Sequence, residues 1–213
     1  MLETLDTVRT LQRKLYLKAK REPTFRFYAL YDKVYRHDIL EKAYRLVRSS
    51  NGSPGIDDVS FKMVEQGVGI NQFLTELGKD LKEGTYKASP VMRVMIPKSD
   101  GGQRPLSIPI IKDRVAQMAV KLVIEPIFES DFVETSYGFR PKKGAHDAIN
   151  EITHALLSGH TQVIDADLSK YFDTIPHAKL MKIVAERICD KGILKIIKMW
   201  LKAVIIEVDK RGK

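Results

Sequence analysis

The sequence predicts an α+β fold: a helix-rich chain built around one β-hairpin, with a further strand later in the chain. Three observations carry this. Apolar residues recur at helical spacing in segments from one end of the chain to the other. Two short β-prone runs, 91–97 and 103–110, flank Ser99-Asp100-Gly101-Gly102, whose Asp-Gly and Gly-Gly pairs suit a tight turn. The stretch 162–168, Gln-Val-Ile-Asp-Ala-Asp-Leu, alternates in polarity as a strand does.

Taken in order, Leu5, Val8, Leu11 and Leu15 place a first amphipathic helix over roughly 4–20, which Pro23 interrupts. A second helix is expected over about 25–48, and the run Ser49-Ser50-Asn51-Gly52-Ser53-Pro54-Gly55 reads as a loop. A third helix covers roughly 60–82, weakened by Gly67 and Gly69. In the hairpin, Pro105 and Pro109 confine the second strand to a sheet edge, because proline has no N–H to give a ladder. Val115, Met118, Ala119, Leu122 and Val123 define a helix over 112–128 that is expected to end at Pro126. Ala145, Ala148, Ile149, Ile152 and Leu156 define another over 144–157. After the 162–168 strand come helices over about 177–188 and 191–201, then a short strand at 203–208.

Composition bounds what such a chain can be. It has 213 residues, 44% hydrophobic and 30% charged, enough for a real core and unlike a disordered chain. The net charge of +9 is the electrostatic footprint of a polyanionic partner. Residues 1–50 hold 12 Lys and Arg against 6 Asp and Glu, so +6 of the +9 lies there, as a solvated helical face or as a nucleic-acid-facing arm. A single cysteine, Cys189, excludes an internal disulfide and a cysteine-rich zinc site, and its helical surroundings place it in the core. A cytoplasmic setting follows from that cysteine usage, and no apolar run is long enough to span a bilayer. The five histidines have no metal-ligand spacing, and no Walker A or complete Gly-x-Gly-x-x-Gly occurs.

Three stretches could carry chemistry. On the 162–168 strand, Val163, Asp165 and Asp167 share a face, with the two carboxylates about 7 Å apart. Alone, this reads first as an acidic solvent-facing edge; its second reading is a site for hard, oxygen-preferring Mg2+. Tyr171 and Phe172 close behind could shape a sugar or base pocket. At the hairpin, Lys98 and Arg104 flank the turn, either as two solvated cations or as a pair converging on one anion. The run Ser136-Tyr137-Gly138-Phe139-Arg140-Pro141-Lys142-Lys143-Gly144 interleaves aromatics with cations. It suits base stacking with phosphate contacts, or an ordinary loop laying Tyr137 and Phe139 over the core.

Read together, these stretches resemble the reverse transcriptases encoded by bacterial group II introns. SPGIDDVS is similar to the segment closing that family's N-terminal extension. IPKSDGGQRPLSIPIIKDRVAQMAV is similar to its first fingers block and SYGFRPKKGAHDAI to its second. VIDADLSKYFDTIPHAKLM is similar to the palm motif bearing the first catalytic aspartate.

The resemblance implies helix-rich fingers with a β-hairpin plus an incomplete polymerase palm sheet. It divides the chain into a basic helical N-terminal extension at 1–58, fingers at 59–160 and the first part of a palm at 161–213. It makes Asp167 the catalytic residue and metal ligand, with the Leu168 carbonyl as a second contact to Mg2+. It makes Phe172 the gate against a ribose 2′-hydroxyl, and sets Lys98 and Arg104 on the triphosphate of an incoming dNTP, with Asp165 supporting. The implied activity is RNA-directed DNA polymerase, on an RNA template and a DNA primer, with a maturase role that binds intron RNA to aid splicing. The family's Pro-Gln-Gly and Tyr-x-Asp-Asp blocks are not in the sequence, so the isolated chain is expected not to polymerise. The rival readings are a non-catalytic RNA-binding maturase module and a related reverse transcriptase of a defence or CRISPR system.

Overall fold

In a computed structural model, residues 2–97, 101–168 and 171–207 are described. The N-terminal helix α1, Leu2–Arg21, stops just short of Pro23. The expected single helix over 25–48 is two: a one-turn α2, Tyr31–Val34, and α3, His37–Ser49. Residues 22–30 are not helical because they have a different task. Phe27 bridges in parallel to Ile188, accepting from the Cys189 N–H and donating to the Arg187 carbonyl, both at 2.8 Å.

The third expected helix is likewise divided, into α4, Phe61–Gln66, and α5, Ile70–Glu83. Gly67 ends the first, and Gly69 at φ +80° turns the chain into the second, a conformation that a side chain would strain.

The strands β1, Val91–Pro97, and β2, Gln103–Ile108, form the expected antiparallel hairpin, in register Met92 to Ile108 through Pro97 to Gln103. Gly101 in the connection has φ +81°. β2 is an edge strand, as Pro105 requires, and β3, Ile205–Glu207, adds to the other side of β1 in parallel, giving the order β2-β1-β3.

The long helix α6, Ile111–Glu129, is buried on nearly all sides and packs on α1, α2 and α3. It does not end at Pro126: the proline sits inside its last turn, buried, and the helix continues to Glu129. α7, Ala145–Leu157, and the single turn α8, Tyr171–Thr174, carry no buried residue. α9, His177–Arg187, and α10, Lys191–Leu201, follow. One cluster of buried apolar side chains joins α1 (Val8, Leu15), α3 (Leu40, Ala43), α5 (Leu74, Leu77), α6 (Val115, Ala119) and α10 (Ile193, Ile196).

The α+β class holds, but two further sequence expectations fail. Residues 162–168 form no strand. A strand needs a neighbour for its N–H and C=O groups, and among the described residues nothing lies alongside; the three paired strands are elsewhere. Cys189 is not a helical core residue: it is half-buried on the extended link between α9 and α10.

Polar groups lock this arrangement. Arg187, at the end of α9, donates to the Ala19 carbonyl at 3.0 Å and to the carbonyls of Glu22 and Pro23, and pairs with Asp131 at 2.9 Å. It thereby occupies the Ala19 carbonyl, one of those that the end of α1 leaves without a helical partner, and two just beyond it. Asp190 caps α10 through the N–H groups of Gly192 and Ile193, while its other oxygen accepts from Leu30 and Tyr31 at the start of α2.

Candidate active site

Residues 161–168 have no regular secondary structure and are exposed, and α8 begins at Tyr171. Ala166, Asp167 and Leu168 come together with Tyr171, Phe172 and Asp173 around an open cleft of about 570 Å³. Asp167 is exposed, Leu168 is 68% exposed and Phe172 81%. The rings of Tyr171 and Phe172 meet edge to face at 5.7 Å, which fixes two aromatic faces beside the carboxylate. Of the sequence-predicted residues, Asp167, Leu168 and Phe172 therefore line the same cleft. Asp165 is exposed nearby in sequence but does not line the cleft.

Asp173 is the lining residue that sequence reasoning did not select. Its signal was its place six residues after Asp167, close enough for one helical turn to return it to the same cavity.

The triphosphate cations are placed differently. Arg104 is exposed on β2, opposite Ile96. It does not line the cleft, and Lys98 lies outside the described residues.

The aromatic and basic loop divides its labour. Arg140 turns inward, 9% exposed: it pairs with Glu129 at 2.7 Å and donates to the carbonyls of Val133 and Ser136. Lys143 lies over the Tyr137 ring at 5.0 Å and pairs with Glu134 at 3.2 Å. These two cations hold the loop. Phe139 is 96% exposed at φ +57°, so it covers no core and presents a bare stacking face.

The donor set can be tested against a hard divalent cation. The Asp167 carboxylate and Leu168 carbonyl are oxygens, as such an ion prefers, and Asp173 shares the cavity. This fits one cation held by one or two carboxylates, with waters and phosphate oxygens completing its shell. Among the described residues no group of three His, Cys, Asp or Glu gathers, so the cleft does not by itself complete a two-metal clamp. No helix among the described residues is long and apolar enough to cross a membrane.

Comparison with known proteins gives the family. A family model described as reverse transcriptase (RNA-dependent DNA polymerase) matches residues 96–213. The chain is 40% identical over 204 residues to protein YkfC of Escherichia coli (strain K12), covering 93% of this chain and 53% of that protein. It is 31% identical over 185 residues to the group II intron-encoded protein LtrA of Lactococcus lactis subsp. cremoris, covering 85% of this chain and 30% of that one. A chain of a partial Cas6-RT-Cas1–Cas2 complex is similar with a TM-score of 0.48 and 19% identity, over 83% of this chain and 28% of that chain. The chain thus spans about half the length of the Escherichia coli relative, 53%. Because the family match covers more than half of the 213 residues and takes in β2 and the Asp167 cleft, the chain belongs to the reverse transcriptase (RNA-dependent DNA polymerase) family.

Proposed function

We propose that this chain carries the fingers and the first part of the palm of a group II intron-encoded reverse transcriptase and maturase. Residues 1–58 act as the basic extension, 59–160 as fingers and 161–213 as palm. The whole protein is an RNA-directed DNA polymerase that extends a DNA primer on an RNA template with dNTPs and Mg2+ in the cytoplasm. The observation that carries the reading is the cleft: Asp167 and the Leu168 carbonyl for the cation, with Phe172 beside them for the sugar.

The cation, when bound, would supply charge neutralisation at the reacting phosphate. The chain's own residues do the rest. Asp167 and the Leu168 carbonyl would hold the cation. Arg104 and Lys98 neutralise and orient the triphosphate so that its α-phosphate meets the primer 3′-hydroxyl in line. Phe172 fills the space that a 2′-hydroxyl would need.

Primer extension on an RNA template by the full-length protein is the test. Extension with dNTPs that is lost on chelation of divalent cations supports the reading, and no extension at any primer or template concentration refutes it.

A second activity, intron RNA binding that aids splicing, rests on a separate observation: the 12 to 6 excess of basic residues over the first 50. It needs no polymerase chemistry from this chain.

A further inference from the structure

The structure carries a second basic surface, on residues outside the first 50 though α9 and α10 pack against Phe27, Leu30 and Tyr31, and it shares no residue with the Asp167 cleft. Lys191, Lys195, Lys198 and Lys202 recur at i, i+4, i+7 and i+11 along α10 and its C-cap. At about 100° per residue they fall within about 60° of arc, a single file roughly 16 Å long. The file lies opposite the face that buries Ile193 and Ile196. Lys182 of α9 stands across a groove of about 730 Å³ whose lining includes Met181, Leu194 and Leu201. No carboxylate lines this groove, and among the described residues none of the five lysines is ion-paired.

A merely solvated helix face is ordinarily built otherwise. Acidic and basic residues alternate at i, i+4, because like charges at that spacing repel. Here each successive step of the file is a like-charge neighbour. Lys191 also sits in the first turn of α10, where the helix dipole disfavours a cation. The helix therefore carries an arrangement that opposes its own stability, and an external polyanion would relieve it.

The geometry distinguishes between polyanions. A line of cations about 4.5 to 6 Å apart along an axis, on long flexible stems, matches a linear run of phosphates. No Phe, Tyr or Trp lines the groove to stack an unpaired base, so it suits the backbone of a paired strand better than a single strand. We propose that the α9–α10 face is a backbone-binding site for duplex RNA, outside the polymerase cleft. It rests on the RNA-binding part of the proposed function and names a surface for it.

The test uses the whole 213-residue chain and a fully paired RNA duplex, with affinity followed by fluorescence anisotropy across a salt series. One variant combines Lys191→Gln, Lys195→Gln, Lys198→Gln and Lys202→Gln; a second places Arg at the same four positions. The parent is expected to bind with a steep slope of log affinity against log salt. The Gln variant should lose about 3 to 4 from that slope, and the Arg variant should keep it. If the parent binds and the Gln variant keeps its slope, the inference is overturned and the groove is left to an acidic helical protein. A slope lost equally in the Gln and Arg variants also overturns it, because then shape rather than charge was removed. A parent that binds no RNA at any salt overturns the RNA-binding reading itself.

Discussion

The Tyr86 hydroxyl donates to the Asp113 carboxylate at 2.6 Å, and Asp113 is only 2% exposed. The same hydroxyl accepts from the Trp200 indole at 3.0 Å, while the other Asp113 oxygen accepts from the Ser89 N–H at 2.8 Å. One carboxylate thus ties the entry to β1, the core helix α6 and the end of α10. Burial raises the Asp113 carboxyl above its ordinary range, and burial and then Asp113 itself raise the Tyr86 phenol.

Removing that hydroxyl leaves a buried acceptor and a part-buried indole N–H each short of a partner. Tyr86→Phe is therefore expected to lower stability by about 1–3 kcal/mol. Urea unfolding measures it. A midpoint equal to the parent's would mean that solvent already satisfies these groups.

Asp190 is the opposite electrostatic case. Burial pushes its carboxyl up, but the N–H groups of Leu30, Tyr31, Ile193 and Gly192 together outweigh that and hold it below the ordinary value. Asp190→Ala strips the cap from α10 and the link to α2, for an expected loss of about 2–4 kcal/mol at neutral pH. A depressed carboxylate contributes stability above its unfolded value of about 3.9, and that contribution falls away as pH drops through the lower folded value. The stability gap between parent and variant should consequently narrow below about pH 4. A gap constant down to the acid transition contradicts this.

In the full-length protein, Arg104→Ala and Lys98→Ala are expected chiefly to raise the KM for dNTP. Each removes one charge-assisted bond, about 1.5–3 kcal/mol or roughly 10- to 150-fold. Steady-state dNTP titrations decide it. Unchanged dNTP dependence with weakened RNA binding would move both residues to the template path.

The two neighbouring aspartates should part company. Asp167→Asn is expected to abolish primer extension by the full-length protein while leaving RNA affinity intact, since an amide keeps the shape but cannot neutralise a cation. Asp165→Asn, outside the cleft lining, should be much milder. Extension rates beside an RNA-binding control separate them, and an active Asp167→Asn would remove the assignment.

Much of this was legible because local signals and the tertiary outcome coincide. Asp-Gly-Gly between β-prone runs gave the hairpin, Pro105 its edge position, and periodicity gave α10 to the residue. Elsewhere a distant partner decided. Residues 162–168 have the alternation of a strand, yet alternation supplies no neighbour for the backbone. Asp190 stands where a cap belongs, but its bonds to Leu30 and Tyr31 span 160 and 159 positions. The inward turn of Arg140 depends on Glu129, and periodicity says nothing about a loop guanidinium. In the cleft, the position of Asp167 beside Phe172 was readable, whereas the return of Asp173 required the turn at α8.

The parallel bridge between Phe27 and Ile188 also bears on how the molecule is made. Phe27 and Leu30 bond to a segment about 160 positions later, so this contact has a large sequence separation. At about 5–20 residues per second, roughly 8 to 30 s of synthesis separate the two partners. Throughout that interval Phe27 and Leu30 have no Arg187, Ile188 or Asp190 to cover or bind them, and the nascent chain waits with an apolar hook at its front. Any rearrangement or cleavage that removed the region around Ile188 would leave that hook unburied for good, a chaperone's substrate rather than a smaller folded protein.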